Sequence, residues 1–332
     1  MLPNTYKKKS NDKLNDIKKL HVLNDSHFFK AILSVWLTIF LFIFTAKYLT
    51  YQTSYGYLFY PVYVFLIASR MGALLQLIHE AAHGLLVKNK KLNALYSDIF
   101  CALPIGITHT GYTRGHALHH AHTGTQNDPA SDREKYKEPN FSKANVYWLL
   151  LKDLLCVTAL NIFFSYQNNS LQVSKKGMGD KKIIITLFRF ILVQLFLLIF
   201  LFNFSIFDYI IFWFYPAAGP HMFLMRFRGI AEHGLAGQLG IKVNNVREGN
   251  FYTRSFGTSV NNYQNFYLTF LERLFIGSYN VYYHHEHHLY PMVPFYNLPK
   301  LHELIKNDVK NANPDVYEKG YFSAALRNLT RK

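Results

Sequence analysis

The sequence predicts an all-α integral membrane protein with four transmembrane helices and a cytosolic helical cap. Two observations predict this fold: long apolar runs alternate with strongly charged stretches, and the basic clusters fall on one side of the implied topology. The chain has 332 residues, half of them hydrophobic, yet its mean hydropathy is zero because the two kinds of segment cancel. We expect a basic cytosolic tail (1–27), a membrane domain (28–305) and a polar C-terminal tail (306–332).

Four apolar segments are long enough to cross a bilayer, for which about 20 residues suffice. They are residues 28–48, 57–78, 183–202 and 209–225. Arg70 interrupts the second segment, and we place the membrane boundary there. If the helix continues into the cytosol, His79 lies on the order of 13 Å beyond that arginine.

A fifth apolar stretch, 145–166, carries Lys152 and Asp153 together in its first half. With four crossings, the outer links 49–56 and 203–208 contain no lysine or arginine, as the positive-inside rule prefers. A fifth crossing would move the lysines of 175–182 to the outer side. We therefore predict that 145–166 is a helix lying along, or dipping into, the membrane interface.

The net charge of +16 does not indicate nucleic-acid binding, because the basic residues flank apolar runs and no nucleic-acid-binding module can be recognised. Attraction to anionic lipid head groups explains it better. The two cysteines, Cys101 and Cys156, are too few for a disulfide framework or a cysteine-rich metal site. Any metal must therefore have nitrogen and oxygen ligands.

Eight of the 16 histidines fall into three spaced groups, HEAAH, HALHH and HHEHH. The spaced positions are His79, His83, His116, His119, His120, His284, His287 and His288. Positions i, i+3 and i+4 share a helix face, so the three from HHEHH should point the same way while His285 and Glu286 turn aside. A ninth candidate, His233, follows the fourth segment in RGIAEHG, and all nine would share one cytosolic layer.

Imidazole suits divalent first-row metals, iron among them. Eight or nine ligands exceed what one metal can take, but they fit two metals with positions left open for oxygen. The sequence therefore predicts that the cap holds a histidine-rich dimetal site. The ring nitrogens that do not bind metal need acceptors, and carboxylates are the usual ones. Our candidates are Glu80, Asp128, Glu232 and Glu286.

Two alternatives to an iron oxygenase involve no redox chemistry: a zinc protease and a metal-binding membrane protein. HEAAH alone fits the HExxH pattern of a zinc protease, with Glu80 as general base. One zinc with three protein ligands leaves the other two histidine triplets unexplained. The second alternative is a metal-binding membrane protein without redox chemistry. The metal content of the purified protein would distinguish both alternatives from an iron oxygenase.

The three groups resemble the histidine boxes of the membrane fatty acid desaturase superfamily, HxxxH, HxxHH and HxxHH. The boxes are HEAAHG at 79–84, GHALHHAHTGTQNDP at 115–129 and YYHHEHHLYPMVPFYNLPKLH at 282–302. RGIAEHG at 228–234 looks like the additional histidine segment that precedes the third box in bacterial members. The resemblance covers roughly residues 30–305, the bulk of the membrane domain.

The resemblance implies a non-haem diiron centre with two Fe ions, bound by the eight box histidines and His233. It implies that O2 is activated there and that hydrogen is removed from two adjacent methylenes of a lipid or fatty acyl substrate. No haem-binding HPGG element is present, so we expect electrons from a separate donor of the ferredoxin or cytochrome b5 type. We expect a multi-pass protein of a bacterial inner membrane with its catalytic face in the cytosol.

The boxes do not separate desaturation from oxygenation, because both reactions need the same oxidant. A hydroxylase or ketolase acting on a fatty acid, sphingolipid, carotenoid or alkane stays open as the alternative. Lipid analysis would distinguish the two: loss of two hydrogens indicates desaturation, and gain of one oxygen indicates oxygenation.

Overall fold

A computed structural model describes residues 4–123, 143–162, 180–239, 266–312, 317 and 319–330. Regular structure in this part of the chain is helical, with no β-strand among the described residues. The predicted all-α class is therefore confirmed. The predicted site residue Asp128 lies outside the described residues.

Within the described ranges, three helices are long and apolar enough to cross a membrane, and they match three of the four predicted segments. α1 (Asn4–Lys19) is followed by the first of them, α2 (Asp25–Gln52). A short 3₁₀ turn leads into α3 (Tyr60–Ala82), and Gly56–Ala82 is the second candidate span. After α4 (Lys90–Ser97), α5 (His109–His122) and α6 (Lys143–Leu154), α7 (Asp180–Phe202) supplies the third.

The outer surface of α7 fits a lipid environment. Only 6% of its apolar window is buried, and Phe188, Leu192 and Phe196 are among its exposed side chains. An exposed apolar surface of this size would be unfavourable in water, whereas hydrocarbon is its natural solvent.

The fourth predicted segment, 209–225, is divided in the structure. α8 (Ile206–Tyr209), a π-helical turn and α9 (Tyr215–Ala218) precede Gly219, where the helix breaks before α10 (Pro220–Leu239). Gly219 has φ −110° and ψ −86°, and a Cβ there would lie 2.8 Å from the Leu154 carbonyl oxygen. The following proline also lacks the amide that would continue the helix. A fourth crossing stays a prediction.

Two arginines near the predicted membrane boundaries, Arg226 and Arg70, bond to other parts of the protein. Arg226 forms an ion pair with Asp153, whose side chain is fully buried, and this pair joins α6 to α10. Arg70 donates a hydrogen bond to the carbonyl of Leu274 at the end of α11 (Phe266–Phe275). The two arginines thus connect α10 to α6 and α3 to α11.

The segment between α4 and α5 inserts its irregular backbone among the apolar helices. The Trp36 indole donates to the carbonyl of Phe100 at 3.0 Å, and the Trp213 indole donates to that of Pro104 at 3.0 Å. The Gln194 amide donates to the carbonyl of Leu103 at 2.6 Å. Side chains of the apolar helices therefore supply hydrogen bonds to the carbonyls of this segment, which water would otherwise have to satisfy.

Both predicted tails contribute helices that pack on the rest of the molecule. Ile17 of α1 is buried against α13 (Leu298–Ala312), which follows the short α12 (His284–Leu289). α14 (Tyr321–Thr330) packs along α10, with the Tyr321 side chain fully buried. The ends of the chain therefore cover the segment that holds the third histidine group.

Candidate metal centre

The first histidine group sits where α3 ends. His79 lies in the last turn, His83 is the C-cap residue, and Gly84 follows with φ +74°, a left-handed conformation that favours glycine. The second group lies on α5, which begins at Thr108, whose hydroxyl accepts a hydrogen bond from the Gly111 amide. α3 continues beyond Arg70 as predicted, and it carries His79 to α5.

The third group lies on α12, a helix of six residues. Tyr279 and Asn280 precede it in the left-handed region, with φ 52° and 58°. The Tyr279 hydroxyl donates to the Ala31 carbonyl at 2.9 Å, and the Asn280 amide donates to the Phe295 carbonyl at 3.0 Å. Two anchored residues in an uncommon conformation therefore fix the direction in which α12 starts.

Five box histidines form one compact set, the five-ring group: His79, His83, His116, His120 and His287. One ring nitrogen from each lies within 4.8 Å of the others. The Nε2 atom of His116 is 2.8 Å from that of His83 and 3.0 Å from that of His120. His120 and His287 approach to 3.2 Å between their Nε2 atoms.

The other three box histidines form the three-ring group: His119, His284 and His288. All three are buried, and one nitrogen of each again lies within 4.8 Å of the others. The Nε2 atoms of His284 and His288 are 3.1 Å apart. The two groups adjoin, because the stacked rings of His120 and His288 have centroids 4.3 Å apart.

Each HxxHH box divides its rings between the two groups. In the second box His116 and His120 belong to the five-ring group, while His119 belongs to the three-ring group. In the third box the assignment is reversed: His284 and His288 share the three-ring group, and His287 joins the five-ring group. The prediction that the third-box histidines point the same way therefore holds for His284 and His288 but not for His287.

The donor set fits two metal ions. Ligands about 2.1 Å from one metal lie about 3 Å apart when they are at right angles, close to the Nε2 separations within each group. Both ring nitrogens of His79 are buried without a hydrogen-bond partner in the described part of the chain, although Nδ1 lies 3.6 Å from Glu80. A buried Nε2 atom among four other imidazoles is a group that a metal would satisfy.

Burial keeps these rings neutral, which is the ligating form. Desolvation lowers the pKa of His83 to about 4. It also lowers the pKa values of His116 and His287, and the neighbouring imidazoles lower them further. Two protonated rings side by side would repel each other. The rings therefore stay neutral, with lone pairs that are available to bind a metal cation.

The three described candidate carboxylates have different partners. Glu80 lies beside His79, and its Oε2 atom accepts the Phe295 amide at 2.9 Å. Glu232 lies beside the three-ring group, with its Oε2 atom 3.6 Å from Nδ1 of His284. Glu286 belongs to neither group.

The Oε1 atom of Glu286 lies 2.6 Å from Nδ1 of His302, whose ring packs at a tilt against that of Tyr283. This contact is consistent with a structural role for His302. The α10 backbone includes His233, but its side chain lies outside the described part of the molecule. Sequence reasoning missed Tyr321, whose hydroxyl reaches Glu232 at 3.1 Å, because nothing in its local sequence marks it.

The fold and the two histidine groups define a class of helical protein with membrane-length helices and buried, clustered imidazoles. The chain belongs to the fatty acid desaturase family, whose model matches residues 55–319. It is also similar to the dihydrorhizobitoxine desaturase of Bradyrhizobium elkanii, at 25% identity over 264 residues, which cover 75% of this chain and 68% of that protein. The resemblance seen in the histidine boxes is thereby confirmed, and with it a desaturase-type oxidoreductase function.

Proposed function

We propose that the protein is a membrane-bound fatty acyl lipid desaturase that uses O2 and electrons from a separate donor. The observation that carries this proposal is the convergence of all eight box histidines into two adjoining groups. A single-zinc protease would need only three of these ligands. Family membership adds the reaction type.

In this proposal the five-ring group holds one Fe ion and the three-ring group, with His233, holds the other. The bound diiron pair would supply the oxidant that removes two hydrogens from neighbouring carbons. The balanced reaction takes one alkyl CH2–CH2 unit, O2, two electrons and two protons to one CH=CH unit and two waters. The electrons come from a ferredoxin or a cytochrome b5 outside the chain.

The protein's own residues hold the ligands and exclude water. His79, His284, His287 and His288 are each at most 6% exposed, so bulk solvent has little access to their rings. The carboxylate of Glu232 lies on the outer side of His284, where it can accept its Nδ1 proton. A dry, rigid site limits side reactions of the oxidant.

Lipid profiling of cells with and without the gene, beside a His119→Ala variant, tests the proposal. We expect the wild type to produce a lipid or fatty acid lighter by two hydrogens, and the variant to produce none. Small metabolites should be profiled too, because the relative is named for dihydrorhizobitoxine rather than for a fatty acid. A product heavier by one oxygen would indicate a hydroxylase, and protein with one zinc and no iron would overturn the proposal.

A further inference from the structure

The carboxylate beside the three-ring group is held by two donors from different helices. Glu232 and Arg228 lie one turn apart on α10, and the Arg228 Nε atom donates to the Oε1 atom of Glu232 at 2.8 Å. The hydroxyl of Tyr321, on α14, donates to the same oxygen at 3.1 Å. All three side chains are buried, so their bonds do not compete with water.

The two oxygens of Glu232 therefore face different partners. Oε1 is occupied by Arg228 and Tyr321, which leaves Oε2 on the side of His284 Nδ1, 3.6 Å away. On the far side of the same ring, Nε2 lies 3.1 Å from Nε2 of His288. The imidazole of His284 thus lies between the carboxylate and the other ligands of its group.

The N-terminus of α14 is fixed by a second carboxylate. Glu272 of α11 accepts the Phe322 amide at 3.0 Å, and it also receives the Tyr321 amide. A Cβ atom at Gly320 would lie 2.8 Å from both carboxylate oxygens of Glu272, so a larger residue there would force Glu272 or the start of α14 to shift. The Tyr321 ring packs against Gly277, where a Cβ atom would lie 3.0 Å from Cε2 of the tyrosine. These contacts set the position of the Tyr321 hydroxyl.

We propose that Tyr321 is a positioning residue for the metal site: with Arg228, it orients Glu232 so that Oε2 faces Nδ1 of His284 and favours the ligating orientation of that ring. The inference rests on the proposed diiron function. Tyr321 lies beyond residues 55–319, which the family model matches, and within the predicted C-terminal tail. The C-terminal helix is then a functional part of the site.

The test measures metal release from the intact protein. Wild type and Tyr321→Phe are purified in mild detergent, loaded with iron(II), and exposed to an excess of a chelator. Carboxylates that orient ligating histidines contribute about 10- to 100-fold to metal affinity. We expect Tyr321→Phe to release one of its two iron equivalents about tenfold faster than the wild type, with the other equivalent unchanged.

Tyr209→Phe is the matched control. It also removes a hydrogen-bonded hydroxyl, since Tyr209 donates to Gln194 at 2.6 Å, but it lies among the apolar helices. A general loss of stability would act alike in both variants. We expect Tyr209→Phe to release iron at the wild-type rate.

A double-mutant cycle with Glu232→Gln shows whether Tyr321 acts through the carboxylate. We expect the double variant to release iron no faster than Glu232→Gln alone. Additive effects, or a Tyr321→Phe variant that behaves like Tyr209→Phe, would overturn the inference and leave the diiron function standing. A wild type that retains no iron would overturn both.

Discussion

The five-ring and three-ring groups adjoin but are built in different ways. The five-ring group takes four of its rings from the end of α3 and from α5, two elements close in sequence, and adds only His287. The three-ring group takes His119 from α5 and two rings from α12, and its neighbouring carboxylate comes from α10. The five-ring group has more rings than the three-ring group, and the three-ring group depends on segments that are distant in sequence. A perturbation of equal size should therefore affect the second more.

Removal of one ligand from each group gives the largest expected effect. His116→Ala leaves four rings in its group, whereas His119→Ala leaves two described rings in the other. We expect both variants to lose activity by at least about 100-fold, because ligand loss exceeds the 10- to 100-fold effect of an orienting partner. Bound iron, measured by elemental analysis, should fall from about two to about one per chain only in His119→Ala. Equal iron loss in the two variants would contradict the comparison.

The number of ligands in the three-ring group depends on whether His233 belongs to it. It follows Glu232 on α10, and if it is a ligand we expect it to complete the three-ring group. His233→Ala should then release one iron equivalent more than about 100-fold faster to a chelator, because the loss of a ligand exceeds the 10- to 100-fold effect of an orienting partner. His21→Ala, on an exposed histidine between α1 and α2, is the control. If His233→Ala released iron at the wild-type rate, His233 would not be a ligand.

Helical geometry explains why each HxxHH box serves both groups. At 3.6 residues per turn, successive residues are about 100° apart, whereas positions i and i+4 differ by about 40°. His116 and His120 therefore stay together, as do His284 and His288, while the consecutive pairs His119–His120 and His287–His288 diverge. A pair of adjacent imidazoles on a helix is suited to bridging two neighbouring centres.

The sequence predicted the features that depend on local spacing. These include three of the apolar helices, the continuation of α3 to His79 and the convergence of the boxes. It did not predict the break at Gly219, which follows from a close approach to the Leu154 carbonyl. It also missed the contact between Tyr321 and Glu232, which are 89 residues apart. Such contacts depend on tertiary packing and leave no periodic signal.

Substitution of the carboxylates Glu286 and Glu232 also tests the difference between the two groups, with smaller expected effects. Glu286 bonds to His302 and belongs to neither histidine group, whereas Glu232 lies beside His284. We expect Glu286→Gln to lower the free energy of unfolding by about 1–3 kcal/mol, because it weakens a buried charged hydrogen bond. Iron release should stay at the wild-type rate, unlike in Glu232→Gln. The measurements are thermal unfolding in detergent and chelator-induced release; faster release from Glu286→Gln would place that carboxylate in the metal site.

The smallest effect is expected at Gly320, where a substitution perturbs the three-ring group without removing any polar atom. Gly320→Ala forces Glu272 or the start of α14 to shift, because the new Cβ atom would lie 2.8 Å from the carboxylate oxygens. Overpacking of this kind costs about 1 kcal/mol or slightly more. Gly115→Ala, in α5 one residue before His116, adds the same methyl group where no atom lies within 4 Å, and it should stabilise the helix by about 0.5–1 kcal/mol.

Thermal unfolding and the two-phase release of iron would measure both glycine variants. We expect Gly320→Ala to accelerate release from the three-ring group alone, because Tyr321 moves with α14 and Glu232 moves with Tyr321. Gly115→Ala should leave both release phases unchanged, although it lies closer in sequence to a ligand. If Gly115→Ala perturbed release more than Gly320→Ala, sequence proximity rather than the α10–α14 contact would govern the site, and the three-ring group would not depend on the C-terminal helix.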